Sequence, residues 1–82
     1  MRLNDVKPGE KCVIKSVKTH NAFGKRLCDL GFVEGTRVTV LAVAPLGDPI
    51  EFYLRGYRIT LRKNEAALVE VVPDERKGIW KR

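Results

Sequence analysis

The chain has little of what a catalyst needs. Its 82 residues hold one histidine (His20), one serine (Ser16) and two cysteines (Cys12 and Cys28). A Ser–His–Asp arrangement would have to use both Ser16 and His20, and no nucleophile-elbow sequence surrounds either. Cys28 paired with His20 lacks any thiol-enzyme signature. The phosphate-cradling patterns G-x-x-x-x-G-K-S/T and G-x-G-x-x-G are also missing. Enzyme chemistry is therefore the class the sequence supports least. No apolar run approaches the ~18 residues needed to cross a bilayer. Met1 to Lys11 has no apolar stretch of the signal-peptide kind. A soluble, cytoplasmic domain is the expectation.

Two cysteines are too few for a disulfide framework and too far apart for a C-x-x-C motif. Their plain reading is as two small buried hydrophobes. With His20 they are also the weak candidates for a transition-metal site, for ferrous iron or another divalent ion. Nothing in their spacing assembles that site, so the isolated domain is expected to bind iron weakly or not at all. A lone histidine ahead of a helix reads more simply as a solvated loop residue.

What is present is a small core and an excess of positive charge. Apolar residues make up 44% of the chain, enough for one hydrophobic core, and the length is that of a single domain. Lys and Arg outnumber Asp and Glu by six, and residues 73–82 carry +2 of that excess on Arg76, Lys77, Lys81 and Arg82 against Asp74 and Glu75. Such a balance suits an anionic partner, either nucleic acid or the inner face of a membrane.

Turn signals recur at Pro8-Gly9, Gly31, Gly35, Gly47-Asp48-Pro49 and Gly56, the punctuation of a small all-β barrel. Strands are expected over Lys11 to Val17, Thr36 to Ala44, Ile50 to Leu54, Tyr57 to Arg62 and Leu68 to Val72. One helix is expected over Ala22 to Leu30, where Phe23, Leu27 and Leu30 share a face. Asn21 caps its start, Gly31 takes the left-handed position at its end, and Phe32 folds back on Leu27. Gly24 weakens the helix, which must then lean on tertiary packing.

The hairpin is the sharpest local inference. A two-residue turn at Arg55-Gly56 sets Leu54 opposite Tyr57, Phe52 opposite Ile59 and Ile50 opposite Leu61, all apolar on one face. The other face pairs Tyr53 with Arg58 and Glu51 with Thr60. A one-residue slip would send the apolar set to solvent, which fixes the register. A bulged variant is the alternative, because Arg55 would need a positive φ. Tyr53 with Arg55, Arg58 and Arg62 then makes a basic outer surface. It suits nucleic acid or an acidic protein equally, and its plain reading is a soluble face guarding an edge. Ahead of it, the loop Ala44 to Pro49 sets Leu46 between a proline and a glycine. Leu46 either points outward as a docking anchor or folds back to plug the barrel end.

These segments together resemble a known family. Residues 26–36, Arg-Leu-Cys-Asp-Leu-Gly-Phe-Val-Glu-Gly-Thr, look like its helix ending and two glycine turns. The loop Ala44 to Ile50, the hairpin Arg55 to Arg62 and the opening Leu3 to Gly9 also fit. The family is that of ferrous iron transport protein A (FeoA). The resemblance covers residues 1 to about 72. It implies a mainly β fold, a small SH3-like five-stranded barrel with one short α-helix. The basic tail over 73–82, which includes Trp80, departs from the family pattern and is expected to be flexible. It implies a monomeric accessory at the cytosolic membrane face whose partner is a FeoB-like, GTP-hydrolysing ferrous iron transporter, and it points away from nucleic acid. It brings no clear set of metal ligands onto these residues. Two alternatives follow from other features. One is a nucleic-acid-binding basic barrel, supported by charge alone. The other is the regulatory domain of an iron-dependent repressor, a role for which no helix-turn-helix precedes the domain.

Overall fold

The computed structural model describes residues 1–18 and 22–74. A short 3₁₀ turn at Leu3–Asp5 leads into strand β1, Lys11–Val17. Helix α1, Ala22–Asp29, precedes β2, Arg37–Val43, and the hairpin of β3, Ile50–Leu54, with β4, Tyr57–Leu61. A one-turn helix α2, Lys63–Ala66, then joins β4 to β5, Val69–Pro73. The strands form one antiparallel sheet in the order β4-β3-β2-β1-β5.

Alternation drives the packing. Cys12 and Ile14 of β1, Val38 and Val40 of β2, Phe52 and Leu54 of β3, Leu61 of β4 and Val69 and Val71 of β5 are all buried in one cluster. Two bulges curl the sheet around it. Lys15 is the extra residue against β5 and Leu41 the extra residue against β3. Past its bulge β2 leaves the core, so Leu41 and Val43 are partly exposed.

The hairpin has the expected register at every pair, from Ile50 opposite Leu61 to Leu54 opposite Tyr57. Arg55 and Gly56 have φ of 51° and 89°, the two positive angles a type I′ turn requires. Helix α1 ends as expected too. The Phe32 N–H donates to the Leu27 carbonyl and the Gly31 N–H to that of Cys28, both at 3.0 Å, which is a Schellman ending.

The inward face of α1 differs from the expected stripe. Phe23 is about half exposed, whereas Gly24 and Leu27 are buried and Leu30 is half-buried. The helix buries its smallest residue together with Leu27. Gly24 thus lies at the packed face, not only as a weakness in the helix. The expected cap at Asn21 lies outside the described residues.

Four features have no counterpart in the sequence pattern. The 3₁₀ turn sinks Leu3 into the core, and α2 sinks Ala66. Residues 1 and 2 cover the outer edge of β5, with Arg2 bridged to Glu70 and the Val71 N–H donating to the Met1 carbonyl at 2.8 Å. The chain is ordered past 72: β5 runs through Pro73, and buried Asp74 pairs with Arg37 at 3.7 Å. The rest of the expected basic tail, 75–82, lies outside the described residues.

Candidate functional site

The loop between β2 and β3 is built to hold one side chain in water. The Gly47 N–H donates to the Ala44 carbonyl at 2.7 Å, closing a tight turn around Pro45 and Leu46. Gly47 has a φ of 90°, which a residue with a Cβ adopts only under strain. The Ala44 N–H reaches the Pro49 carbonyl at 3.0 Å, drawing the two ends of the loop together. The Asp48–Pro49 peptide is cis. Asp48 then accepts a hydrogen bond from the Lys63 N–H at 2.9 Å, tying the loop to the first residue of α2. At the tip, Leu46 is 96% exposed. Of the two roles open to Leu46, the plug is excluded by this exposure. The side chain points out.

Helix α2 is itself pinned from below. Glu65 accepts a hydrogen bond from the Arg62 N–H at 2.9 Å, which satisfies one donor at the helix start. Its other oxygen pairs with the Arg26 guanidinium at 3.2 Å, joining α2 to α1. The Glu65 side chain is only 10% exposed, so both partners matter to keeping a carboxylate there. The hairpin is fastened to the end of α1 by the Tyr57 hydroxyl, which donates to the Leu30 carbonyl.

The basic residues do not form one patch. Arg62 and Lys63 lie at the Leu46 end of the hairpin, next to the loop that Asp48 anchors. Tyr53 and Arg58 face each other midway along its exposed side, where Arg58 lies 3.9 Å from Glu51. Arg55 sits in the turn at the far end, against Gly31 and in a shallow polar depression with Glu34 and Arg37. The structure therefore groups Leu46 with Arg62 and separates both from Arg55.

The metal candidates are no more convergent. Cys12 is buried in the sheet and Cys28 is half-buried on α1, both as free thiols, while His20 lies outside the described residues. Among the described residues no three His, Cys, Asp or Glu side chains gather as a metal site would require. Burial, aided by the nearby negative charge of Asp74, pushes the Cys12 thiol from its ordinary 9.0 up to about 11. Cys12 is thus a neutral core residue at physiological pH. Because folding raises this pKa, the native state holds the proton more tightly between pH 9 and 11. The stabilisation is complete below pH 9 and is lost as the pH rises through 11, by an amount on the order of 2 kcal/mol. Denaturant unfolding of the wild type and Cys12→Ala across that window should show their stability difference shrinking with pH. A constant difference would mean that Cys12 titrates normally.

Asp48 and Glu65 are the site residues that sequence reasoning missed. Glu65 stands three residues after Arg62, the spacing of a helix-start carboxylate, but without the serine or threonine that usually flags it. Asp48 in a Gly-Asp-Pro turn carries no sign of the distant N–H it will meet.

With this geometry in view, the chain can be set beside known proteins. The family model for the FeoA domain matches residues 1–73. The chain belongs to the FeoA family. The Chlorobium tepidum FeoA protein, solved in solution, is 42% identical and superposes with a TM-score of 0.82 over 90% of this chain and 70% of that one. The Stenotrophomonas maltophilia FeoA crystallised with zinc, described as a prokaryotic SH3 domain protein, is 33% identical, with a TM-score of 0.78 over 88% and 89% of the two chains. The five-stranded sheet with its eight-residue helix is thus the SH3-like fold of the FeoA family. A Porphyromonas gingivalis fusion of Fe(2+) transport protein A with the Fe(2+) transporter FeoB is 39% identical over 71 residues, 87% of this chain. The chain spans only 8% of that fusion's length.

Proposed function

We propose that this FeoA domain is an accessory of ferrous iron transport that docks on the cytosolic face of a FeoB-type transporter, with Leu46 as the anchor. The observation that carries the reading is a leucine left almost wholly in water by a loop tied at three points. A solvent-held aliphatic side chain on a stiff loop loses little entropy on binding, and its burial contributes ~1.5–3 kcal/mol. Arg62 and Lys63 beside it favour an acidic rim on the partner, and Tyr53 and Arg58 extend the same surface. The Porphyromonas gingivalis relative, in which the two functions share one polypeptide, supports a physical association of this kind. The Stenotrophomonas maltophilia protein is named as a candidate ferrous iron transport activating factor, which supports an accessory role. No helix among the described residues is long and apolar enough to cross a membrane, so in this reading the transporter supplies the membrane-embedded part. Iron is the transporter's cargo, and the domain acts as a binding module without catalytic groups of its own.

Leu46→Ala tests the anchor. Stability should change by less than about 0.5 kcal/mol, because an exposed side chain has no cavity to leave. Affinity for the purified transporter in detergent should fall roughly tenfold or more, in line with the loss of a buried aliphatic contact. Unchanged affinity with an unchanged melting temperature would move the docking surface away from this loop.

A further inference from the structure

The two edges of the sheet are treated differently. Met1 and Arg2 cover β5, but β4, at the opposite edge, pairs among the described residues only with β3. In a hairpin with a two-residue turn the flanking pair, Leu54 with Tyr57, exchanges hydrogen bonds, and bonded pairs then alternate. Arg58 and Thr60 belong to the non-bonded pairs. Their N–H and C=O groups point away from β3 and have no backbone partner among the described residues. The strand carries neither proline nor bulge to discourage pairing. Ile59 between them packs on the core but is only half-buried, so a strand laid alongside would complete its cover.

Beside the end of β4 opens a cleft of about 360 Å³, lined by Arg26 of α1, Pro49, Thr60, Leu61, Arg62 and Glu65. Around the edge stand the cations Arg26, Arg58, Arg62 and Lys63 against the carboxylates Asp48, Glu51 and Glu65. We infer that this edge is a strand-addition site for an extended acidic peptide segment of a partner protein. Main-chain hydrogen bonds to Arg58 and Thr60 supply the pairing, a small apolar residue covers Ile59, and acidic side chains meet the arginines. A second copy of the chain fits less well, since edge-to-edge pairing would bring two sets of these arginines together at a net charge of +6 each. A nucleic acid fits less well too, because phosphates accept hydrogen bonds and leave the outward carbonyls unpaired.

The site shares Arg58, Arg62 and Lys63 with the proposed docking surface but does not include Leu46, and its test uses no transporter. The probe is an acetylated, amidated peptide of alternating glutamate and valine, about eight residues long, the length of an ordinary strand. Titration into the ¹⁵N-labelled domain should give saturable binding, with amide exchange at Arg58 and Thr60 slowed at least tenfold. A lysine–valine version should not bind. Thr60→Pro removes one outward N–H without touching the β3 ladder, and should weaken binding at least tenfold with the fold retained. If that variant does not fold, the double change Arg58→Glu and Arg62→Glu should reverse the preference toward the lysine peptide. Leu46→Ala should bind the peptide as the wild type does. The inference is overturned by unaltered exchange at Arg58 and Thr60, or by equal binding of the two peptides. It is also overturned by a peptide-independent dimer that Thr60→Pro dissociates, or by oligonucleotide binding in place of the peptide that Thr60→Pro leaves intact.

Discussion

Phe32→Ala is expected to cost about 3–5 kcal/mol, a large share of the ~4–12 kcal/mol that holds a domain of this length together. Phe32 is fully buried and meets Phe52 edge-on, with ring centroids 6.2 Å apart and planes at 85°. Such pairs contribute beyond the area they bury, by ~0.5–1.5 kcal/mol. Phe32 also donates its N–H to the Leu27 carbonyl, so the ring that fills the barrel is held at the residue that ends α1. Loss of the ring removes packing from β3 and from the helix together. Urea unfolding should show the midpoint falling with little change in slope, unless the native state is already depleted in water. A loss below about 1 kcal/mol would mean that the core closes around the gap and that the two rings are not its centre.

Gly31→Ala should be the next most damaging change, at about 2–4 kcal/mol. Two effects add. The residue has a φ of 108°, where a side chain costs ~1–3 kcal/mol. A Cβ there would also lie 3.0 Å from the Tyr57 hydroxyl and 3.3 Å from the Arg55 side chain. The Tyr57 hydroxyl, which ties the hairpin to Leu30 at the helix end, must shift by a few tenths of an ångström to admit the Cβ. Gly35→Ala is the control. Its φ is 87°, but nothing lies within 4 Å of the added carbon, so it carries the backbone term alone. Thermal or urea unfolding of the pair should place Gly31→Ala clearly below Gly35→Ala. Equal losses would show that the contact with Tyr57 contributes nothing.

The elements that could be read from the sequence are those with a local rule strong enough to exclude alternatives. In the β3–β4 hairpin a single register buries Ile50, Phe52, Leu54 and Leu61, and the structure adopts it. The Schellman ending at Gly31 was similarly forced by a glycine followed by an aromatic. Phe23 was misplaced because the most apolar stripe was taken as the packed one. The structure instead buries the narrow face at Gly24 and Leu27. Helix α2 is too short for periodicity to show, and its first turn is satisfied by its own Glu65 and by Asp48 from the β2–β3 loop. The orientation of Leu46 was undecidable for the same reason. Both an anchor and a plug are consistent with Ala-Pro-Leu-Gly-Asp-Pro, and the bond from Lys63 to Asp48, fifteen residues away, joins the two bonds within the loop in holding Leu46 outward. The arginines were individually visible, but their division between the two ends of the hairpin is a property of the folded sheet.

The most direct measurement is an amide chemical-shift map of the ¹⁵N-labelled domain titrated with the purified transporter in detergent. The account predicts that loss of signal or shift begins at Ala44 to Pro49, extends to Arg62 and Lys63 and to the Tyr53–Arg58 side of the hairpin, and spares Met1, Arg2 and β5. Perturbations centred on β5 and the turn beneath it, with residues 44–49 unmoved, would contradict it.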